Sequence, residues 1–337
     1  MSAALDFAIE QRMSESSHTT HSALRAYSKF LAVMTFLLVF AGSLVTSTGS
    51  GLAVPDWPLS YGMLFPPMVG GVLYEHGHRL LAASVGFFTV VMLVWVRFVE
   101  SRQWVRNLSA LALLAVILQG VLGGLTVLFY LPLAISTAHA ILGQTFFLIT
   151  LFLAYSYSTE LTNRSNERAV QTVSEAAFVK WAWWFLALVY LQLLLGALMR
   201  HSEAGLAVPD FPTIGGSWLP LLSEQVLQNI NAKRFVMNLD TVTSLQVLLH
   251  LAHRIGAVFV IVGTILLNGQ ARKLLVKTSK ARQVANWILV CVLFQVTLGA
   301  IVIWTAKQPL ITSLHVLLGA SILGLSALLL MRSKAAC

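Results

Sequence analysis

The sequence predicts an all-α integral membrane protein: eight transmembrane helices forming two tandem four-helix bundles, related by a pseudo-twofold axis along the membrane normal. Three observations predict it. Hydrophobic residues make up 57% of the 337-residue chain and charged residues 10%, against roughly 25% charged in a soluble domain. Eight apolar stretches each reach the approximately 20 residues that a helix needs to cross a bilayer. The second half of the chain also repeats motifs of the first at nearly constant spacing.

In order, residues 1–27 form a polar N-terminal tail without the apolar core of a signal peptide. The first bundle, 28–156, has spans at 28–47, 77–99, 108–128 and 134–156. A linker at 157–178 leads to the second bundle, 179–331, with spans at 179–199, 245–268, 284–305 and 310–331, and a short tail at 332–337. Sixteen of the 22 lysines and arginines, among them Arg97, Arg102, Arg106, Arg272, Lys273 and Arg332, fall in the tails and in the loops after even-numbered spans. Only Arg200, Lys233, Arg234 and Lys307 fall on the opposite side. The positive-inside rule then puts both termini in the cytoplasm. The net charge of +9 reflects topology, and no nucleic-acid partner is expected. Of the two cysteines, Cys291 lies within a span and Cys337 ends the chain, which excludes an outer-loop disulfide.

The repeat is specific. "GLAVPDWP" at 51–58 returns as "GLAVPDFP" at 205–212, and Gly42 matches Gly196 at the same offset of 154. "EHGHRL" at 75–80 aligns with "HLAHRI" at 250–255, and "QGVLGGLTV" at 119–127 with "QVTLGAIVI" at 295–303. The offset has grown to 175 or 176, so the second outer loop carries about 21 extra residues between Pro212 and His250. Asp56 and Asp210 read as turn residues, since glycine, proline and aspartate together favour a tight turn. Gly123, Gly124 and Gly299 read as small residues that let helices approach closely.

Four of nine histidines keep the repeat: His78 and His139, then His253 and His315. All lie early in helices that run inward, so they share one depth toward the outer side. Two imidazoles facing each other across a four-helix core suit one iron of a flat macrocycle. Zinc would want three or four ligands, and no Cys, Asp or Glu joins at suitable spacing. A di-iron site needs two Glu-x-x-His motifs, whereas only Glu75 to His78 fits and its copy reads His250 to His253. Arg79 and Arg254 each follow a histidine directly, where a guanidinium suits a haem propionate. Glu75 shares a helix face with His78. The halves are therefore unequal, one with a carboxylate and one without, as expected if one pocket holds a cofactor and the other a reacting molecule. An i,i+4 ion pair of Glu75 with Arg79 is the plainer reading of the same residues.

Those motifs, with "STAHAILGQ" and "TSLHVLLGA", resemble the haem A synthase family (CtaA/COX15) across residues 28–331. The resemblance implies oxidation of a methyl group of haem O to the formyl group of haem A, the cofactor of terminal cytochrome oxidases. It implies that His253 and His315 hold a resident haem b that relays electrons, that His78 and His139 line the haem O pocket, and that Glu75 is catalytic. Arg79 and Arg254 would bind the cofactors. Some family members carry an outer-loop cysteine pair that this chain lacks. The expected setting is a bacterial plasma membrane with haem sites toward the outer side. The expected partners are membrane lipid, haem O synthase, a separate electron donor and the assembly of cytochrome oxidase, with a homo-oligomer left open. A dihaem cytochrome b-type electron carrier is the alternative. A parallel-repeat transporter is a third class, disfavoured because the polar groups lie away from the bilayer midplane.

Overall fold

The computed structural model describes residues 2–166, 173–216, 218 and 223–333. Arg168, Lys334 and Cys337 lie outside them. Among the described residues ten α-helices form: α1 (Ser2–Ser47), α2 (Gly71–Val99), α3 (Gln103–Leu128), α4 (Leu133–Ser156), α5 (Thr159–Asn166), α6 (Val173–His201), α7 (Glu224–Val236), α8 (Ser244–Leu274), α9 (Lys280–Trp304) and α10 (Pro309–Ser333). No strand occurs among the described residues. Eight helices are long and apolar enough to cross a membrane: α2, α3, α4, α8, α9 and α10 entire, and the stretches Ser22–Ser47 of α1 and Glu175–His201 of α6. One helix contains each predicted span to within a residue, and several of them run four to six residues beyond it.

Two differences from the sequence reading have local causes. The helix α1 runs on through the tail at least to Ser2, because residues 2–41 contain neither glycine nor proline to stop it. The extra residues of the second outer loop contain the 13-residue helix α7, whose start is capped by Ser223 accepting from the Val226 N–H at 3.4 Å. Arg234, buried on α7, donates Nε–H to Asp240 O at 2.7 Å and Nη1–H to Leu206 O, which folds the insert back onto the repeated loop. The next helix, α8, opens on a capping box: Gln246 N–H donates to Thr243 Oγ1, and Thr243 N–H donates to the Gln246 carbonyl.

In the first half α1 packs on α2, α2 on α3, α3 on α4 and α4 back on α1. In the second, α6, α8, α9 and α10 close the same ring. Between the halves α1 meets α10, α4 meets α6, and α4 meets α10. Exchanging the halves leaves this set of neighbours unchanged.

The densest apolar packing lies at the end of each ring nearer the chain termini. Leu31, Met92, Phe146 and Leu153 fill the first half there, and Phe178, Phe185, Leu267 and Ile288 the second. Helices in lipid associate through close packing and interhelical hydrogen bonds, since lipid tails are as apolar as leucine. The other end is more polar. At the seam Arg200 of α6 donates Nη2–H to Ser43 O at 2.6 Å and Ser47 Oγ at 2.7 Å on α1, and Ser313 of α10 donates to Ser47 Oγ at 3.0 Å.

Candidate functional site

The four repeated histidines sit at this polar end, one on each even member of the two rings: His78 on α2, His139 on α4, His253 on α8 and His315 on α10. Each ring rests edge-on against a glycine of a neighbouring helix. A Cβ added at Gly42, Gly123, Gly196 or Gly299 would stand 2.9, 3.1, 3.0 or 3.2 Å from the Cε1 of His78, His139, His253 or His315, respectively. Any side chain there would displace the imidazole. These four glycines were legible in the sequence only as small packing residues or as members of the repeat. Their partners are now defined. Gly124 differs, for a Cβ there would meet the Trp57 ring of the first outer loop at 2.7 Å.

The His253 and His315 rings face each other with centroids 6.5 Å apart and planes inclined at 68°. A metal–imidazole bond of about 2 Å on each side, plus the half-width of each ring, accounts for a separation of this size. The Nδ1 atoms of His78 and His315 are buried without a hydrogen-bond partner, a state costly for a polar nitrogen unless a ligand orders the ring. Among the described residues no three His, Cys, Asp or Glu converge on one point. The residues therefore fit a macrocycle ligated from both faces by imidazole.

Three glutamines were missed by sequence reasoning. The Nε2–H of Gln119 on α3, Gln192 on α6 and Gln295 on α9 donates to the backbone carbonyl of His139, His253 and His315 at 2.9, 2.9 and 3.0 Å. The same amide nitrogens lie 3.3 Å from His139 Nε2, 3.1 Å from His253 Nδ1 and 3.3 Å from His315 Nε2. Gln119 and Gln295 open the repeated motifs on α3 and α9, a signal that could have found them.

Outside the histidines the repeat builds two matching roofs. Asp56 accepts the N–H of Tyr61 at 2.6 Å and of Gly62 at 2.8 Å. Asp210 accepts those of Gly215 at 2.9 Å and Gly216 at 2.8 Å. Both aspartates are turn residues, and the Gly62 N–H above all holds the Asp56 carboxyl below its usual range. Arg79 donates Nη1–H to Asp56 O at 2.7 Å and Leu59 O at 2.9 Å. Arg254 donates Nη2–H to Asp210 O at 2.7 Å and Nη1–H to Thr213 O at 3.0 Å. Each arginine thus ties its helix to the loop above it.

The asymmetry is built into the same roofs. Glu75, 4% exposed, accepts the Val54 N–H at 2.8 Å through Oε2 and pairs with Arg79 Nη2 at 2.5 Å through Oε1. His250, 2% exposed, instead donates Nδ1–H to Ala204 O at 2.8 Å. One roof is held by a carboxylate accepting from the loop, the other by an imidazole donating to it.

Residues 68–327 match the model of the COX15-CtaA family, described as a cytochrome oxidase assembly protein. The chain belongs to this family. Family members named heme A synthase are similar along much of their length. The one from Symbiobacterium thermophilum is 29% identical over 284 residues, covering 83% of this chain and 85% of its own. That of Halalkalibacterium halodurans is 26% identical over 212 residues, 61% and 69% of the two chains. That of Bacillus cereus is 24% identical over 305 residues, 87% and 88% of the two. The matched span takes in all four histidines, Glu75 and both arginines.

Proposed function

We propose that this membrane protein is a haem A synthase, an oxidoreductase that converts a methyl group of haem O to the formyl group of haem A for cytochrome oxidase. The observation that carries the reading is the pair of matched imidazole sites, each ring seated on a glycine, that differ by a buried carboxylate. In this reading His253 and His315 hold a resident haem b, and His78 and His139 hold the substrate. The resident haem supplies one-electron chemistry when bound.

The chain's own residues do the rest. The four glycine contacts fix the imidazole planes, so ring orientation is set before anything binds. Glu75 stands three residues from His78, and its carboxylate is the buried acidic group of that roof, where Asp56 is a partly exposed turn residue. It accepts a proton as C–H bonds of the substrate methyl are oxidised, or stabilises positive charge developing at that carbon. Oxidation passes through an alcohol and then a hydrated aldehyde that loses water. Arg79 pairs with one oxygen of Glu75, and the Val54 N–H fixes the other. Arg79 and Arg254 also act through the loops they clamp, where a propionate would compete with loop carbonyls for the same N–H donors. Both termini lie in the cytoplasm and both sites toward the outer side, by the distribution of lysine and arginine. Haem O synthase supplies the substrate, and a separate protein exchanges electrons.

Extracting the pigment from purified protein tests the reading. Haem b together with haem O or haem A is expected. Haem b alone would point to an electron carrier, and no haem would overturn the assignment.

A further inference from the structure

The two sites share their glycine seats to within 0.1 Å at His78 and His253, so what differs around those two rings is informative. His253 is touched by Gln192, whose amide nitrogen lies 2.9 Å from its carbonyl oxygen and 3.1 Å from Nδ1. The amide fits because residue 256, one turn along α8, is glycine: a Cβ there would overlap Gln192 Oε1 outright. At the repeat offsets of 154 and 175 the first half carries Leu38 and Leu81. Both members of the pair have changed together, from glutamine and glycine to two leucines. His139 and His315 each keep a glutamine at their backbone carbonyl, so His78 is the one repeated histidine without such a contact; its Nδ1, like that of His315, is buried with no partner.

We infer that Gln192 and Gly256 form a lock on His253 that makes its haem resident, and that the Leu38 and Leu81 pair leaves His78 an unlocked ligand from which haem exchanges. The chemistry is that of outer-shell support. A residue that orients a metal-bound imidazole strengthens it as a ligand. The Gln192 amide donates to the His253 backbone carbonyl and lies against the ring at Nδ1, so it holds both the backbone and the imidazole of that residue. An apolar leucine has no such donor. A synthase must keep one haem through many turnovers and release another at every turnover, and two histidines with identical seats cannot do both. Gln192 is a positioning residue in this account, since it acts through His253. The inference rests on the assignment of resident and substrate haems to the second and first halves.

The test is haem transfer from the full-length protein in detergent to excess apomyoglobin, with the midpoint potential of haem b read beside it. Gln192→Leu should release haem b about 10–100-fold faster than wild type, the usual cost of losing an outer-shell partner, and should shift its potential. Gly256→Ala leaves every polar group in place and evicts the amide, so it should do the same and covers the case in which Gln192→Leu fails to fold. The reciprocal double variant Leu38→Gln with Leu81→Gly should slow release of haem O or haem A from the first half. Release rates and potential unchanged in a folded Gln192→Leu or Gly256→Ala variant would overturn the lock. Wild-type protein purified without haem b would instead overturn the haem assignment beneath it.

Discussion

Gly196 on α6 lies against His253 on α8 so closely that a Cβ there would stand 3.0 Å from the ring's Cε1. The contact joins two helices of the second ring and sets the imidazole plane from a residue that carries no functional group. Alanine is favoured over glycine within a helix by about 1 kcal/mol, so Gly196→Ala should leave the helix intact while pushing the ring aside. The expected outcome is reduced haem content with an undiminished melting temperature of the haem-free protein. Spectra and haem-to-protein ratio check it, and normal haem with a normal spectrum would refute the seat.

If His253 and His315 hold the resident haem, as proposed, replacing either removes one of its two ligands. His253→Ala and His315→Ala should each lose haem b and its low-spin absorption, because the pocket is built for two imidazoles. Redox difference spectra of the purified variants decide this.

Glu75→Gln keeps the side chain's shape and its place beneath Val54 and removes its charge. The variant should fold, retain haem b and accumulate haem O or a partly oxidised intermediate. Proton transfer by a positioned carboxylate typically contributes about 10²–10⁴-fold, and product formation should fall by that order. His250→Gln, at the matching position, should affect turnover far less. Chromatography of extracted haems separates the two outcomes, and haem A formed at the normal rate by Glu75→Gln would reduce that carboxylate to a structural partner of Arg79.

At the opposite end, Glu100 follows α2 and ties it to the start of α3 and the end of α4. Burial alone would raise its pKa, but the Arg102 side chain and backbone N–H outweigh that and bring it down to about 2. Arg102 pairs with it at 2.8 Å and also donates to Ser156 O at 2.9 Å. A folded pKa below the usual 4.5 means stability present above pH 4.5 and lost as pH falls toward 2. Thermal unfolding in detergent should weaken across that window in wild type. Glu100→Gln should be less stable near neutral pH and flatter below it.

Membrane orientation can be read with cysteines. Leu64 and Phe235 are exposed, one between α1 and α2 and the other on α7, in segments that the charge distribution puts outside. Leu64→Cys and Phe235→Cys should react with an impermeant thiol reagent in intact cells. Labelling only after the membrane is broken would invert the topology.

The sequence by itself determined what depends on period and composition. Apolar runs of bilayer length announce their helices locally, so all eight spans were placed before any packing was known. The duplication likewise made His78, His139, His253 and His315 stand out, and Asp56 and Asp210 were legible as turn residues because a turn is decided within half a dozen residues. Only the tertiary structure decided which groups meet. The contact of Gly42 with His78, the grip of Arg79 and Arg254 on loop carbonyls some twenty and more residues away, and the reach of Arg200 across the seam to Ser43 and Ser47 join segments with no shared period. The helix α7 and its hold on Leu206 were hidden in an unrepeated insert. Gln192 was hidden for a further reason. Its meaning lies in Gly256, a residue that matters by lacking a side chain, and such an absence becomes a signal only when the neighbouring helix shows what fills the space.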